Sequence, residues 1–184
     1  MRAPRSDGSH PVRLAITLGD PRGIGPEVVQ RALSDLTDSD GIDPCVIGPR
    51  GLPISVHESV GDWRTGDLPA AAGKLAGRAI ERAAELALAG EVHGIVTAPV
   101  DKHALLEGGY DVPGHTEMLA ALTGSDVAMM LASDKLRVVL VTTHIALRDV
   151  PHALTGEAIT RVARVTTSGL RDWFGIAQPR LALC

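Results

Sequence analysis

Apolar and polar positions alternate along this chain in two periods, and the switching between them predicts its elements. Short apolar runs closed by Gly or Pro read as buried strands, and apolar residues three or four apart read as helices. Val12–Leu18 (VRLAITL) is such a run, ended by Gly19-Asp20-Pro21. Pro26 opens a helix at its favoured first position, with Glu27 in the first turn, and that helix reaches about Leu36. Cys45–Gly48 is a short strand. From 49 to 70, Pro, Gly and Asp dominate, and only Ile54–Val56 has strand character. Gly73–Ala89 places Leu75, Ala79, Ala83 and Leu86 at helical spacing, and Gly90 stops it. Gly94–Ala98 (GIVTA) is a strand closed by Pro99. Asp101–Leu106 reads as a short helix capped by Asp101 and halted by Gly108-Gly109. A helix from Thr116 to about Gly124 follows, then strands Ala128–Ala132 and Leu136–Thr143 around the turn Ser133-Asp134-Lys135. A long helix runs from a Thr155 cap to about Gly175, and a last strand is expected at Arg180–Cys184.

Strands alternating with helices predict an α/β fold: a mostly parallel sheet with flanking helices. The strands near 12–18, 45–48, 94–98 and 136–143 are expected to run parallel. Residues 1–11 read as a flexible tail, 12–125 as a first α/β domain, and 126–184 as the start of a second. That second domain is expected to be incomplete, because the chain ends on a buried-looking strand.

Composition narrows the picture. The chain of 184 residues is 45% hydrophobic but has only two Trp, one Tyr and one Phe. Its core must rest on Ala, Val, Leu and Ile, which suits strands buried between helices. A net charge of -4 with no basic block argues against a nucleic-acid partner. No apolar stretch is long enough for a bilayer, and the opening MRAPRSDGSHP lacks the apolar centre of a signal peptide. A cytoplasmic protein is expected. Cys45 and Cys184 lie in apolar runs, form no CxxC pair, and are expected as buried, reduced thiols.

Four segments carry candidate chemistry. Gly19–Glu27 (GDPRGIGPE) joins a strand to a helix; it suits either a tight structural turn or an anion at the helix N-terminus, and it is not the GxGxxG dinucleotide fingerprint. Thr97–Lys102 (TAPVDK) follows a strand's carboxyl end, where ligands gather in α/β sheets, so Lys102 is either a phosphate or carboxylate contact or a solvated lysine. Pro113–Glu117 (PGHTE) sets an imidazole and a hydroxyl at a helix start, as a small anionic ligand requires, or else Thr116 is a cap and His115 a surface residue. Thr142-Thr143-His144 closes an apolar strand, and a neutral imidazole there can bind a divalent metal or be merely structural. His10, His57, His93, His103 and His152 have no comparable context and read as surface residues.

Taken together and in order, LGDPRGIGPE, TAPVDKHAL, PGHTEMLA and MMLASDKLRVVLVTTHIALRDVP resemble the 4-hydroxythreonine-4-phosphate dehydrogenase family, and the final FGIAQPRLALC is similar to it too. Arg22 stands where that family commonly has a small residue, and 49–73 is shorter than usual.

The resemblance implies a two-domain, homodimeric α/β enzyme similar to the isocitrate and isopropylmalate dehydrogenases. The implied reaction is oxidation and decarboxylation of 4-phosphohydroxy-L-threonine to 3-amino-2-oxopropyl phosphate, in pyridoxal phosphate synthesis. It uses NAD or NADP and a divalent metal (Zn, Mg or Co). The resemblance further implies that His115 and Thr116 bind substrate and that His144 is one of three histidine ligands to the metal. The catalytic and cofactor-binding residues are not assigned. The remaining ligands belong to family segments beyond those matched here, so this chain alone is expected to be inactive. Two other readings stay open: a relative acting on 4-phospho-erythronate or phospho-threonate, and a non-catalytic substrate-binding remnant.

Overall fold

The computed structural model describes residues 11–112 and 114–184. The N-terminal tail and His10 lie outside them. Residues up to Thr123 form one compact unit and Gly124–Cys184 a second.

The first unit is built on a four-stranded sheet of order β3-β2-β1-β4. Its strands are β1 (Val12–Thr17), β2 (Ile42–Arg50), β3 (Glu58–Asp62) and β4 (Gly94–Thr97). All neighbours pair in parallel, with Thr17 opposite both Ile47 and Thr97. Helix α1 (Gly25–Asp35) covers one face, where Leu18, Val46, Val29 and Ala98 cluster. Helix α2 (Pro69–Leu88) covers the other, setting Ala72, Leu75, Ala79, Ala83 and Leu86 against Ala15, Cys45, Ile47 and Val60. Apart from Trp63 this core is aliphatic, as the scarcity of aromatics requires.

Two differences from the sequence reading have local causes. Strand β2 runs from Ile42 straight through Pro44. Val46 bonds toward β3, so Pro44, two residues earlier, points the same way. At that level β3 has not begun, since its pairing starts at Ile47, and no ladder bond is lost to the missing N–H. Strand β3 itself lies past Ile54–Val56, which carry no strand. It buries only Val60 and contains Gly61 at φ 138, the weak signature of a short edge strand.

Helices α3 (Lys102–Glu107) and α4 (His115–Thr123) complete this unit. As expected, Asp101 caps α3, its side chain accepting from the amides of His103 and Ala104. The α3 segment lies directly on α2. A Cβ at Gly73 would overlap the Ala104 carbonyl, and one at Gly77 the ring of Tyr110. The Tyr110 hydroxyl donates to Glu81 at 2.9 Å. Burial first, and that bond second, push the phenol's pKa up.

The second unit holds β5 (Met129–Ala132), β6 (Arg137–Leu140) and the long helix α6 (Gly156–Asp172), preceded by one-turn α5 (Val150–Ala153). Strand β6 does not join the parallel sheet: it pairs antiparallel with β5 as a separate hairpin. The connection through Ser133-Asp134-Lys135 is far too short for the crossover that a parallel pair needs. The Ser133 hydroxyl closes the turn, accepting from the Leu136 amide at 3.1 Å. Thr155 caps α6, accepting from Ala158. The expected strand Arg180–Cys184 is absent: the segment has no ladder partner among the described residues, Leu183 is 75% exposed, and Cys184 is exposed rather than buried. Cys45 is buried and free, as expected.

Candidate functional site

The carboxyl edge of the parallel sheet is where the first two candidate segments meet. Gly19 has φ +68, and its α-carbon faces the Pro99 carbonyl so closely that a Cβ would overlap it. The Asp20 amide donates to the same carbonyl at 3.0 Å. Gly19 and Gly25 of GDPRGIG therefore serve close approach of backbone to backbone, at Pro99 and at Leu18. No side chain caps α1, and Ile24 at that position is exposed.

A charged group follows from this closeness. Asp20 is 4% exposed and accepts from Arg22 Nε at 3.1 Å and Nη2 at 2.7 Å. The same Nη2 reaches Asp101 Oδ2 at 3.1 Å. Hydrogen bonding to Asp20 holds the Arg22 pKa above its ordinary value. Asp101 is held below the usual carboxylate range, chiefly by the Ala104 amide and then by the His103 amide and Arg22. Sequence reading found the Asp101 cap but not this bridge; its only signal was an arginine inside a glycine-rich turn. Lys102 is exposed and makes no ion pair among the described residues.

Helix α4 begins at His115, one residue earlier than expected. Thr116 is thus in the first helical turn and is not its cap. His115 is half-buried, and burial lowers its pKa, leaving the imidazole neutral at pH 7. Among the described residues, two buried side-chain polar atoms have no hydrogen-bond partner: His115 Nε2 and Thr17 Oγ1. A buried polar atom without a partner marks a place for a ligand or an ordered water.

His144 lies in the second unit, exposed, beyond the end of β6. Its φ of 57 makes it the one non-glycine residue with positive φ among those described. Such a backbone costs about 1–3 kcal/mol and is common at functional positions. No group of three or more His, Cys, Asp or Glu able to hold a metal occurs among the described residues. One imidazole does not make a catalytic metal site. The remaining histidines are not all idle surface residues: His57 and His93, though exposed, each accept a backbone N–H through Nδ1 at 3.0 Å.

The fold and these groups define a parallel α/β protein whose candidate site residues sit on strand-to-helix loops and at a helix start. The chain belongs to the family of the pyridoxal phosphate biosynthetic protein PdxA, whose model matches residues 27–184. It is 36% identical over 205 residues to the 4-hydroxythreonine-4-phosphate dehydrogenase of Trichlorobacter lovleyi, covering 93% of this chain and 61% of that protein. It is 40% identical over 209 residues to the D-threonate 4-phosphate dehydrogenase of Salmonella typhimurium, covering 92% and 62%. The crystal structure of a 4-hydroxythreonine-4-phosphate dehydrogenase from Klebsiella pneumoniae matches with a TM-score of 0.78 at 35% identity, over 92% of this chain and 62% of that one. The chain thus spans about three fifths of the length of these relatives.

Proposed function

We propose that this chain carries the substrate-holding part of a dehydrogenase for a phosphorylated four-carbon hydroxy acid, with 4-hydroxythreonine 4-phosphate as the substrate. The observation that carries this reading is the unpartnered, buried Nε2 of a neutral His115 beside Thr116 at the start of α4. A neutral imidazole and a hydroxyl at a helix N-terminus, where free N–H groups favour negative charge, suit a small ligand with hydroxyl and acidic groups. His115 and Thr116 bind and orient; neither is assigned a proton-transfer step.

NAD or NADP, as hydride acceptor, and a divalent metal (Zn, Mg or Co) belong to the same reading. The described residues do not fit the metal by themselves, since only His144 points to it, and no nucleotide motif is legible. A homodimer and a cytoplasmic location go with this reading, and among the described residues no helix is long and apolar enough to cross a membrane.

A second substrate, D-threonate 4-phosphate, is favoured by the 40% identity to the Salmonella typhimurium enzyme. The test is to titrate the purified chain with each compound by NMR. Binding that weakens about ten- to a hundred-fold in His115→Ala or Thr116→Ala, the loss of one hydrogen bond to a charged group, supports the reading. Unchanged binding in both variants overturns it, and the ratio of the two affinities selects the substrate.

A further inference from the structure

Arg22 lies between two carboxylates of unlike standing. Asp20 is buried, and it accepts the arginine's side chain twice and its backbone amide once, at 2.8 Å. Asp101 is half-exposed and divides its oxygens. Oδ1 accepts from the His103 amide at 2.9 Å and the Ala104 amide at 3.2 Å, while Oδ2 accepts from Arg22. Its carbonyl accepts from the Leu105 amide at 2.9 Å. The whole first turn of α3 therefore hangs on Asp101, and the Asp101 side chain is tied to the β1–α1 loop by one guanidinium. A planar fork can serve two carboxylates at once, and an ammonium matches that geometry poorly.

The far end of α3 is fixed as well. Gly108 lies against the backbone of Lys74, and Tyr110 is bonded to Glu81. From Tyr110 only residues 111–114 separate this anchored segment from His115. The α3 segment is thus held at Asp101 by Arg22 and at Tyr110 by α2, and α4 packs on the same helix α2.

We infer that Arg22 is a positioning residue: by bridging Asp20 and Asp101 it fixes α3, and through α3 the start of α4 where His115 and Thr116 meet the phosphorylated hydroxy acid. The inference rests on the functional reading above, and Arg22 itself touches no ligand in it. Its contribution is geometric and reaches the ligand only through the backbone of α3.

The experiment uses the full chain as wild type, Arg22→Lys, Asp101→Asn, the double variant and His115→Ala. Asparagine has one side-chain oxygen, so it cannot both cap α3 and accept from Arg22. Amide exchange at His103, Ala104 and Leu105 reads the bridge, and NMR titration with 4-hydroxythreonine 4-phosphate reads the site. Both single variants are expected to speed exchange at those amides. Each is also expected to raise the dissociation constant about two- to five-fold, the range for a partly exposed ion pair. The double variant should be no weaker than the weaker single, because both break one link. Unchanged exchange overturns the inference. So does faster exchange with unaltered binding while His115→Ala abolishes it, and so do additive effects that merely track global stability. If the wild type does not bind, or His115→Ala binds like wild type, the functional reading falls and the positioning role falls with it; the exchange data then still decide whether Arg22 holds α3.

Discussion

The Val46 amide donates to His57 Nδ1 at 3.0 Å, while the His57 amide donates back to the Val46 carbonyl at 2.8 Å. An imidazole thereby stands in for a backbone carbonyl and extends the β2–β3 ladder by one rung before β3 begins. The same exchange joins Arg13 and His93 ahead of β4, with the Arg13 amide on Nδ1 at 3.0 Å and the His93 amide on the Arg13 carbonyl at 2.8 Å. Both rings must then carry their proton on Nε2.

His57→Phe leaves the N–H of Val46, a fully buried residue, without its acceptor. The expected cost is about 1–3 kcal/mol, the penalty of an unsatisfied buried donor. His57→Asn, whose carbonyl can accept in the same place, should recover most of it. Urea denaturation of the three proteins checks this. Equal midpoints would show that the histidine carries no part of the edge strand's stability.

His115 gives the chain a pH dependence of definite sign. Its folded pKa is depressed below the ordinary 6.5 by burial, so the unfolded chain binds a proton more readily than the folded one. Its contribution to stability is complete above pH 6.5 and is lost as pH falls through the lower, folded value. His115→Gln should flatten this part of the stability profile below pH 6.5 and leave it unchanged above. The difference between the two denaturation profiles across that window is the measurement. A wild-type advantage that grows on acidification has the wrong sign and rules out burial as the cause.

The close contact of α2 and α3 makes two glycines irreplaceable. Gly73→Ala drives a methyl into the Ala104 carbonyl, a backbone atom that cannot step aside, and Gly77→Ala drives one into the Tyr110 ring. Overpacking of this kind costs about 1–3 kcal/mol, and the Tyr110–Glu81 bond should weaken with it. Gly156→Ala, at the start of α6 with open space around it, should stay within about 0.5 kcal/mol of wild type. Thermal melts of the three variants decide the ranking.

Much of the first unit was legible because its signals are local. Val12–Leu18 and Gly94–Ala98 are apolar runs bounded by breakers, Asp101 caps α3 where expected, as Thr155 caps α6 in the second unit, and Pro26 falls one place inside a helix that starts at Gly25. What failed depends on partners that a sequence does not display. Strand β3 has one inward residue and exists because β2 offers an edge. Strand β6 has the composition of a parallel strand, but its short turn commits it to β5. Residues 180–184 have strand composition and no ladder. At the site, His115 was found from its place before a helix, but the link from Arg22 to Asp101 spans 79 residues and has no local trace.

The left-handed backbone at His144 is a strained conformation for a residue with a Cβ, and glycine adopts it freely. His144→Gly relieves a strain of about 1–3 kcal/mol and adds about 0.5–1 kcal/mol of chain entropy lost on folding, so a net stabilisation of up to about 2 kcal/mol is expected. The same substitution should change zinc affinity little, because the described residues place no group of three metal-binding side chains around this position and a single imidazole holds zinc weakly. A chain that holds metal so weakly should also form no NADH from 4-hydroxythreonine 4-phosphate. Zinc titration by calorimetry, denaturation of both proteins and an NADH assay test the three statements together. Tight one-to-one binding that His144→Gly abolishes, with turnover in the wild type, would establish a complete ligand set around His144. Destabilisation by His144→Gly would show instead that the imidazole makes a stabilising contact outweighing its backbone strain.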